Sequence, residues 1–241
     1  MRYGILSDIH SNLEAYEAVI DTLKKENPDK IVVVGDIVGY GADPKECIRL
    51  TRFLTDNITC GNHDWAAVGL MNIKWFNYNA RRAVQWTKDI LNGSEEEFLK
   101  KLNLIFEDEN IIAVHGSLDN PQDFNYIFYI EDAIKTFSKM DKRPCFIGHS
   151  HSPVFFMRDK ERIDVIFDEA IRLEEGKQYI INVGSVGQPR DGDNRAACAV
   201  YDVREQLITI KRVEYNIRET QEKILNAGLP EILAYRLSEG R

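Results

Sequence analysis

The feature that most constrains the fold is a series of short apolar runs, each followed directly by polar residues. The runs Tyr3–Ser7 and Ile31–Val34 are short and continuous, as expected of strands that are buried on both faces. Between them, apolar residues from Leu13 to Leu23 recur at helical spacing, and Asn27-Pro28 ends that pattern. A strand, a helix and a second strand form a βαβ unit, so the first part of the chain predicts a parallel sheet.

The alternation continues through a further helix and a short strand. The helix begins near Asp43-Pro44, with aspartate as N-cap and proline at the first helical position, and the strand spans residues 57–60. From about residue 64 to residue 102 the chain is helical in pattern and rich in aromatic residues. We therefore expect a helical insertion at that point in the strand series.

The second half of the chain is richer in strands that follow one another directly, which predicts antiparallel pairing. A helix is expected near residues 131–140, and the predicted strands are 104–106, 111–114, 145–147, 154–157, 165–167, 179–183, 196–203 and 207–213. The tail from about residue 214 to residue 241 is predicted to be helical. Without an internal repeat or a linker rich in proline and glycine, residues 1–241 are expected to form a single domain.

Composition limits the classes of function. The 241 residues are 44% hydrophobic and carry a formal net charge of −8, which disfavours binding to duplex nucleic acid. Small anionic substrates stay compatible with that charge, because bound cations invert the local field. The four cysteines are far apart, no run approaches the roughly 18 apolar residues of a membrane span, and no signal sequence precedes the first strand. We expect a cytoplasmic protein without a membrane partner, and homo-oligomer formation stays open.

Polar residues that are suited to chemistry follow five of the apolar runs. All five histidines of the chain lie at these positions, together with carboxylate and amide side chains. The carboxyl ends of parallel strands form the usual ligand crevice of an α/β sheet, so these residues are expected to meet. They are Asp8, His10, Asp36, Asn62, His63, Asp64, His115, His149 and His151.

Each of these residues alone also has an ordinary structural explanation. Asp8 could be a helix N-cap beside a hydrogen-bonded His10, and Gly-Asp and Gly-Asn pairs such as those ending in Asp36 and Asn62 favour turns. A single His115 is more often structural than metal-binding. Together, however, these explanations require five independent coincidences at one sheet edge, which favours a metal site.

The ordered motifs DIH, GD, GNHD, HG and GHSH resemble those of the calcineurin-like metallophosphoesterases. They run from residue 8 to residue 151, and the segment 182–195 is similar to one in small bacterial and archaeal phosphodiesterase-like members. The resemblance implies an α/β fold, a four-layer αββα sandwich of two mixed sheets flanked by helices. It also implies hydrolysis of phosphate mono- or diesters of a small molecule, such as a nucleotide or a dinucleoside polyphosphate.

The resemblance further implies two divalent metal ions. The first would be held by Asp8, His10, Asp36 and His151. The second would be held by Asp36, Asn62, His115 and His149, so that Asp36 bridges the ions. Two ions about 3.5–4 Å apart can clamp the attacking and leaving oxygens of an in-line displacement. Oxygen and nitrogen ligands without thiolate suit Mn, Fe, Zn, Co or Ni, and we favour Mn.

His63 matches the histidine of the family that is not a ligand and that protonates the leaving oxygen or stabilises charge on the phosphoryl group. The resemblance gives Asp64 the role of orienting the His63 imidazole. The alternative is a structural His-Asp pair.

The sequence departs from one branch of the superfamily at Tyr40. Protein phosphatases of that branch and symmetric dinucleoside-polyphosphate hydrolases carry GDxVDRG, whereas residues 35–41 read GDIVGYG, which places Tyr40 at the phosphate-binding arginine. A phosphoprotein phosphatase is therefore disfavoured but stays an alternative, as does a scaffold of the same fold that does not catalyse.

Other residues are candidates for substrate contacts besides Tyr40. Arg190 or Arg195 could replace the missing phosphate contact, although a surface salt bridge explains either residue equally well. Trp75, Phe76 and Tyr78 could stack on a nucleobase, but aromatic residues at helical spacing more often belong to the core.

Overall fold

The computed structural model describes residues 1–241 and contains two six-stranded sheets. Sheet A consists, from edge to edge, of β3 (Ile58–Thr59), β2 (Lys30–Val34), β1 (Arg2–Leu6), β11 (Ala196–Asp202), β12 (Leu207–Val213) and β9 (Ala170–Arg172). Sheet B consists of β4 (Ile105–Glu107), β5 (Ile112–Val114), β6 (Cys145–Ile147), β10 (Gln178–Asn182), β7 (Val154–Asp159) and β8 (Arg162–Ile166). The strands are numbered in the order in which they occur along the chain.

The helices are α1 (Leu13–Glu26), α2 (Pro44–Leu54), α3 (Asn62–Ala67), α4 (Tyr78–Ile90), α5 (Gly93–Lys100), α6 (Ile130–Phe137), α7 (Ile217–Asn226) and α8 (Ile232–Tyr235). Short 3-10 turns lie at Ile73–Trp75, Pro121–Asp123 and Arg236–Glu239. None of the helices combines the length and the apolar composition that crossing a lipid bilayer requires.

Successive side chains of a strand point to opposite faces of its sheet, and this alternation creates the layers. In β1, Ile5 faces sheet B, and its neighbour Leu6 faces the helix layer that includes Val19 of α1. On the far side of sheet B, Phe137 of α6 packs on Ile180 of β10. The resulting order is helices, sheet A, sheet B and helix, which confirms the predicted αββα sandwich.

Each sheet contains one group of three parallel strands. In sheet A, β1, β2 and β3 run parallel, and in sheet B the parallel strands are β5, β6 and β10. The remaining strand pairs are antiparallel. The parallel groups position the polar residues described below, because those residues follow the carboxyl ends of β1, β2, β3, β5 and β6.

The strand predictions fail where strands are short or charged. Strand β8 spans Arg162–Ile166 and not 165–167, because its hairpin with β7 pairs Arg162 with Asp159 and leaves Phe167 exposed. Strand β9 was not predicted, since its three residues form no apolar run and pair only with β12 at the sheet edge. Strand β8 was misplaced because charged residues alternate with apolar ones along it, and β9 was missed because it has only three residues.

Residues 62–100 and 217–239 form additional helices beside the sandwich. The stretch expected as an insertion forms α3, α4 and α5, and the tail forms α7 and α8 with a final 3-10 turn. A separate apolar cluster joins the two regions: Ala80 and Ala83 of α4 pack with Leu233 and Leu237 of the tail. Tyr40 also belongs to this cluster, so both additions border the strand ends.

Candidate metal centre

The structure brings all seven expected metal ligands together in a buried region at the strand ends. Sheet A supplies four of them, and sheet B supplies the other three, so the site lies between the sheets. The ligands from sheet A are Asp8, His10, Asp36 and Asn62, and those from sheet B are His115, His149 and His151.

Asp8, His10 and His151 form one group whose possible ligand atoms lie within 4.8 Å of one another. The Nε2 atoms of the two histidines are 3.1 Å apart. Asp8 Oδ1 lies 3.2 Å from His151 Nε2 and 3.7 Å from His10 Nε2. Two nitrogens and one carboxylate oxygen thus face a common point, as metal ligands do.

Asp36, His115 and His149 form a second group of the same kind. Asp36 Oδ2 is 3.3 Å from His115 Nε2 and 3.5 Å from His10 Nε2. The Asp36 carboxylate therefore faces ligand atoms of both groups, as the expected bridging position requires. Asn62 Oδ1 is buried and has no hydrogen-bond partner.

Backbone carbonyl groups fix the tautomers of three histidines. A carbonyl oxygen only accepts, so in each neutral ring Nδ1 carries the hydrogen and Nε2 presents its lone pair to the centre. The Nδ1-to-oxygen contacts join His10 to Val38 (3.1 Å), His115 to Val34 (2.8 Å) and His151 to Gln188 (2.6 Å). Lone pairs of His10 and His151 then face each other beside ionised carboxylates, an arrangement that a cation satisfies.

Unpartnered atoms test whether the residues fit a metal. Asp36 Oδ2, Asn62 Oδ1 and His115 Nε2 are buried without a hydrogen-bond partner. Leaving one such group unsatisfied costs about 1–3 kcal/mol, and more for a charged group. These three unpartnered atoms belong to three of the expected ligands, and they fit a divalent metal centre.

Burial and mutual charge set the protonation of the ligands. Burial alone raises the pKa of Asp8 and Asp36, but the surrounding imidazoles reverse the effect and hold both pKa values below the usual range. Burial lowers the pKa of His149, and that of His151 to about 4. Burial opposes protonation of His115 as well, yet the two carboxylates raise its pKa to about 10. A cation at the centre would displace the proton of His115.

The backbone at the site is held in an unusual conformation. Asp8, His10, Asp36, His149 and His151 all have positive φ, between 49° and 69°. This left-handed region is unfavourable for residues with a Cβ and persists only where surrounding contacts enforce it. Strain therefore concentrates at five of the seven expected ligands.

His63 lies beside the centre and reaches the adjoining cavity. With His10 and Asp36 it forms a third group whose possible ligand atoms lie within 4.8 Å of one another. Its backbone N–H donates to Asp36 Oδ1 at 2.8 Å, and its ring contacts those of Tyr40 and Phe76. Nδ1 is buried against Gly39 without a partner, so Nε2 is the nitrogen with access to the cavity. Burial lowers the pKa of His63 to about 3.

The predicted role of Asp64 is wrong in the structure. Asp64 Oδ1 accepts hydrogen bonds from the backbone N–H groups of Ile37 and Val38, and Oδ2 accepts one from Gly61. Neither oxygen bonds to the His63 imidazole. Asp64 instead ties the loop after β2 to the start of α3, and burial raises its pKa to about 7. His63 and Asp64 are adjacent in GNHD because Asp64 caps the start of α3, and not because the two side chains form a His-Asp pair.

The structure separates the two candidate arginines. Arg190 lies 5.6 Å over the Tyr40 ring, and its backbone N–H donates to the carbonyl of His151. Arg190 Nε is buried without a partner. Arg195 instead forms a surface salt bridge with Asp193 at 2.7 Å and does not reach the centre, which corrects its assignment as a substrate contact.

A cavity of about 380 Å³ opens from the centre, and aromatic side chains line much of it. Trp75 is 93% exposed at this cavity, so it does not belong to the core, whereas Phe76 is half-buried. Tyr126 was missed: its ring stacks on His149 with centroids 3.7 Å apart. A possible signal was the aromatic run 126–129 in the long loop that follows His115.

Two sheets packed face to face, with His/Asp groups that share Asp36 at the strand ends, are the architecture of a protein that binds divalent metals between its sheets. The chain belongs to the calcineurin-like phosphoesterase superfamily, whose domain model matches residues 1–206. The family and the three His/Asp groups support a divalent metal centre, and the family supports a phosphoesterase hydrolase.

Two relatives are similar over almost their whole lengths. An uncharacterised protein of Methanocaldococcus jannaschii is 40% identical over 244 residues, covering 99% of this chain and 98% of the relative. The crystal structure of a metallophosphoesterase from Sphaerobacter thermophilus is also 40% identical, with a TM-score of 0.89 and coverage of 100% and 99%. A hypothetical protein of Pyrococcus horikoshii OT3, 21% identical at a TM-score of 0.80 and covering 100% and 98%, shares the fold.

Proposed function

We propose that the chain hydrolyses phosphate esters of a small molecule with two divalent ions that share Asp36. The observation that carries this proposal is the set of imidazole lone pairs, held by backbone carbonyl groups and directed at Asp8 and Asp36. Asp8, His10, Asp36 and His151 would hold one ion, and Asp36, Asn62, His115 and His149 the other. When bound, such ions clamp the attacking and leaving oxygens of an in-line displacement.

The ligand types suit Mn, Fe, Zn, Co and Ni without selecting among them, and we propose Mn. Imidazole, carboxylate and amide oxygen form a set of borderline and hard donors. All four cysteines are buried and unpaired, and none belongs to the ligand groups. A soft, thiolate-dependent metal is therefore disfavoured.

We assign to His63 the protonation of the leaving oxygen or the stabilisation of charge on the phosphoryl group. His63 belongs to one of the three His/Asp groups, but the seven other residues fill both expected ligand sets without it. Its Nε2 has access to the cavity in which a substrate would lie. One residue acting as general acid or base typically contributes roughly 10²- to 10⁴-fold in rate.

Arg190 is the better candidate for the phosphate contact that an arginine provides in the protein phosphatase branch. Its guanidinium lies against the face of Tyr40, the residue that occupies the arginine position, and has no acidic partner. Arg190 lies in the loop between β10 and β11, whereas the arginine of the phosphatase branch lies in the loop after β2. A phosphoprotein substrate of that branch therefore stays the less favoured alternative.

The substrate class follows from charge and scale. A formal net charge of −8 opposes binding of duplex nucleic acid, and the cavity volume suits a small molecule such as a nucleotide or a dinucleoside polyphosphate. The cytoplasmic location, the absence of a membrane partner and the oligomeric state stay predictions.

Metal analysis and hydrolysis assays test the proposal. Reconstituted protein should bind two equivalents of Mn per chain and release p-nitrophenol from p-nitrophenyl phosphate or from its bis ester. Asp36→Asn should reduce both bound metal and rate. A limit of one equivalent together with an unaffected Asp36→Asn variant would refute the shared site, and no hydrolysis of either ester would favour the scaffold alternative.

A second assay isolates His63. His63→Ala should retain both metals yet lose roughly 10²- to 10⁴-fold in kcat on esters with poor leaving groups, and less on p-nitrophenyl esters, which need little protonation. His115→Ala should weaken metal binding and depress all substrates together. Loss of a metal from His63→Ala would show that His63 is a ligand instead.

A further inference from the structure

The cavity beside the metal centre is lined by two chemically different sets of residues. The first set consists of the expected ligands Asn62 and His149 together with His63, which suit the phosphoryl group. The second set includes Trp75 and Asp123. Because the two sets differ in charge and polarity, they suit two different parts of one substrate.

Trp75 presents a large apolar surface at the cavity. Its side chain is 93% exposed, and its indole has no aromatic partner, unlike the rings of Phe76 and Tyr126. Trp75 is the last residue of a 3-10 turn whose N-cap, Asn72, accepts a hydrogen bond from the Lys74 backbone. An exposed indole beside a site is a stacking platform for a planar group.

Asp123 places a negative charge in the lining of the cavity. The carboxylate lines the cavity and has no ion pair or hydrogen-bond donor of its own, so it would repel a phosphate and attract an N–H donor. Its position is fixed because the adjacent Phe124 is buried against Trp65 and His115, with ring centroids 5.3 Å and 6.1 Å away.

Asn77 and Tyr126 also line the cavity. Asn77 caps α4 through Oδ1, which leaves its amide N–H₂ free as a donor toward the cavity. Tyr126 is held flat on His149, and its hydroxyl has no protein partner. An acceptor, a donor and an aromatic platform match a heterocycle with polar edges better than a plain hydrocarbon ring.

We propose that the lining residues Trp75 and Asp123 form a nucleobase subsite, in which a base stacks on Trp75 and donates a hydrogen bond from its exocyclic amine to Asp123. The inference rests on the proposed function only for the binding of the phosphoryl group. It commits the substrate to a nucleoside phosphate whose base carries an amino group.

Binding of nucleosides to the metal-free protein tests the subsite separately from catalysis. Calorimetric titration in EDTA should show that adenosine binds more tightly than uridine, and that ribose 5-phosphate does not bind. Trp75→Ala should weaken adenosine binding by roughly 5- to 150-fold, the range for loss of one stacking side chain. Asp123→Asn should reduce the preference for adenosine over uridine.

Phe167→Ala is the matched control, because Phe167 is 80% exposed but does not line this cavity. It should bind adenosine like the parent protein. Absence of adenosine binding, or equal binding by Trp75→Ala and Phe167→Ala, would overturn the subsite. A change from oligomer to monomer in Trp75→Ala, with no nucleoside binding, would instead assign Trp75 to a subunit interface.

The two proposals fail separately. Hydrolysis of p-nitrophenyl esters without nucleoside binding would leave the phosphoesterase proposal intact and remove the subsite. Adenosine binding without hydrolysis of any ester would leave the subsite intact and remove the phosphoesterase proposal.

Discussion

Gly61 and Gly148 position the two carboxylates by having no side chain. A Cβ at Gly61 would lie 2.0 Å from Asp36 Oδ1, and one at Gly148 would lie 2.4 Å from Asp8 Oδ2. Contacts this short force either the backbone or the carboxylate to move. The glycines of the GNHD and GHSH motifs are therefore explained by close approach to the expected ligands.

Gly61→Ala should disturb metal binding although it removes no ligand. The new methyl group displaces the Asp36 carboxylate, and changes next to a ligand typically cost roughly 10- to 100-fold in metal affinity. Competition with a chelating dye measures the effect. Gly93→Ala is the control, because an added Cβ there meets nothing within 4 Å. Equal metal affinity in the two variants would contradict this explanation.

At the level of single residues, the sequence predicted where chemistry lies better than what each side chain does. Strand ends identified the buried positions, since all five histidines follow apolar runs. The sequence could not assign Asp64, because its carboxylate bonds to backbone groups 26 and 27 residues away along the chain. Tyr126 was missed because its stacking on His149 depends on the path of a loop.

At the level of elements, the position at which a helix begins follows from local sequence rules, whereas the side chains that the helix contacts in the fold do not. Asp43 and Pro44 begin α2 as predicted, but the Asp43 side chain makes no capping hydrogen bond. It accepts instead from Lys223 of α7 at 3.0 Å, and Lys223 also contacts Glu14 of α1. One lysine thus links α7 to the starts of two other helices.

Lys223→Gln should cost about 1–2 kcal/mol of unfolding free energy, since it leaves two neighbouring, partly buried carboxylates without a cation. Urea denaturation at pH 7 measures the loss. The control is Arg218→Gln on the same helix, whose exposed pair with Glu222 contributes at most about 0.5 kcal/mol. Equal costs for the two variants would refute the linking role.

The contribution of Lys223 should also depend on pH. Burial alone lowers its pKa, but the carboxylates of Glu14 and Asp43 raise the pKa above the ordinary value. A raised pKa stabilises the fold below the unfolded-state value of roughly 10.4, and the stabilisation is lost as the pH rises through the folded-state value. On the alkaline side, the difference between the parent protein and Lys223→Gln should therefore shrink above about pH 10.4.

At the level of the whole molecule, the metal centre joins the two sheets. Its expected ligands follow β1, β2 and β3 of sheet A and β5 and β6 of sheet B. Elsewhere the sheets are held by apolar packing, for example of Tyr201 on Phe146. Bound cations would therefore act as a crosslink between layers that lie far apart in sequence.

Chelation should lower the melting temperature. At a metal concentration 100-fold above Kd, binding adds about 2.7 kcal/mol, which corresponds to roughly 5–10 °C for a chain of this length. Calorimetry with and without EDTA measures the shift, and Asp36→Asn should show a smaller one. A melting temperature that is unchanged by EDTA in the parent protein would contradict the crosslink.

The layer order was accessible from the sequence only in part. Continuous apolar runs predicted the parallel strands, because strands buried on both faces need no alternation. The partition into two sheets depends on pairings such as Ile5 with Ala199 and Ile180 with Cys145. Periodicity within a strand does not encode its neighbour, so the resemblance to a family was needed for the sandwich.

The packing of the insertion on the C-terminal helices has a consequence for changing the specificity of this protein. The tail lies beyond the 206 residues that match the family domain, yet it contacts α4 and Tyr40 beside the centre. Met71, Trp75 and Asn77 line the cavity from this region, and none of them is an expected ligand or belongs to the buried cluster. A mutant library restricted to these three positions should alter which esters fit while leaving the expected metal ligands in place, and so offers directed evolution a region with few lethal changes.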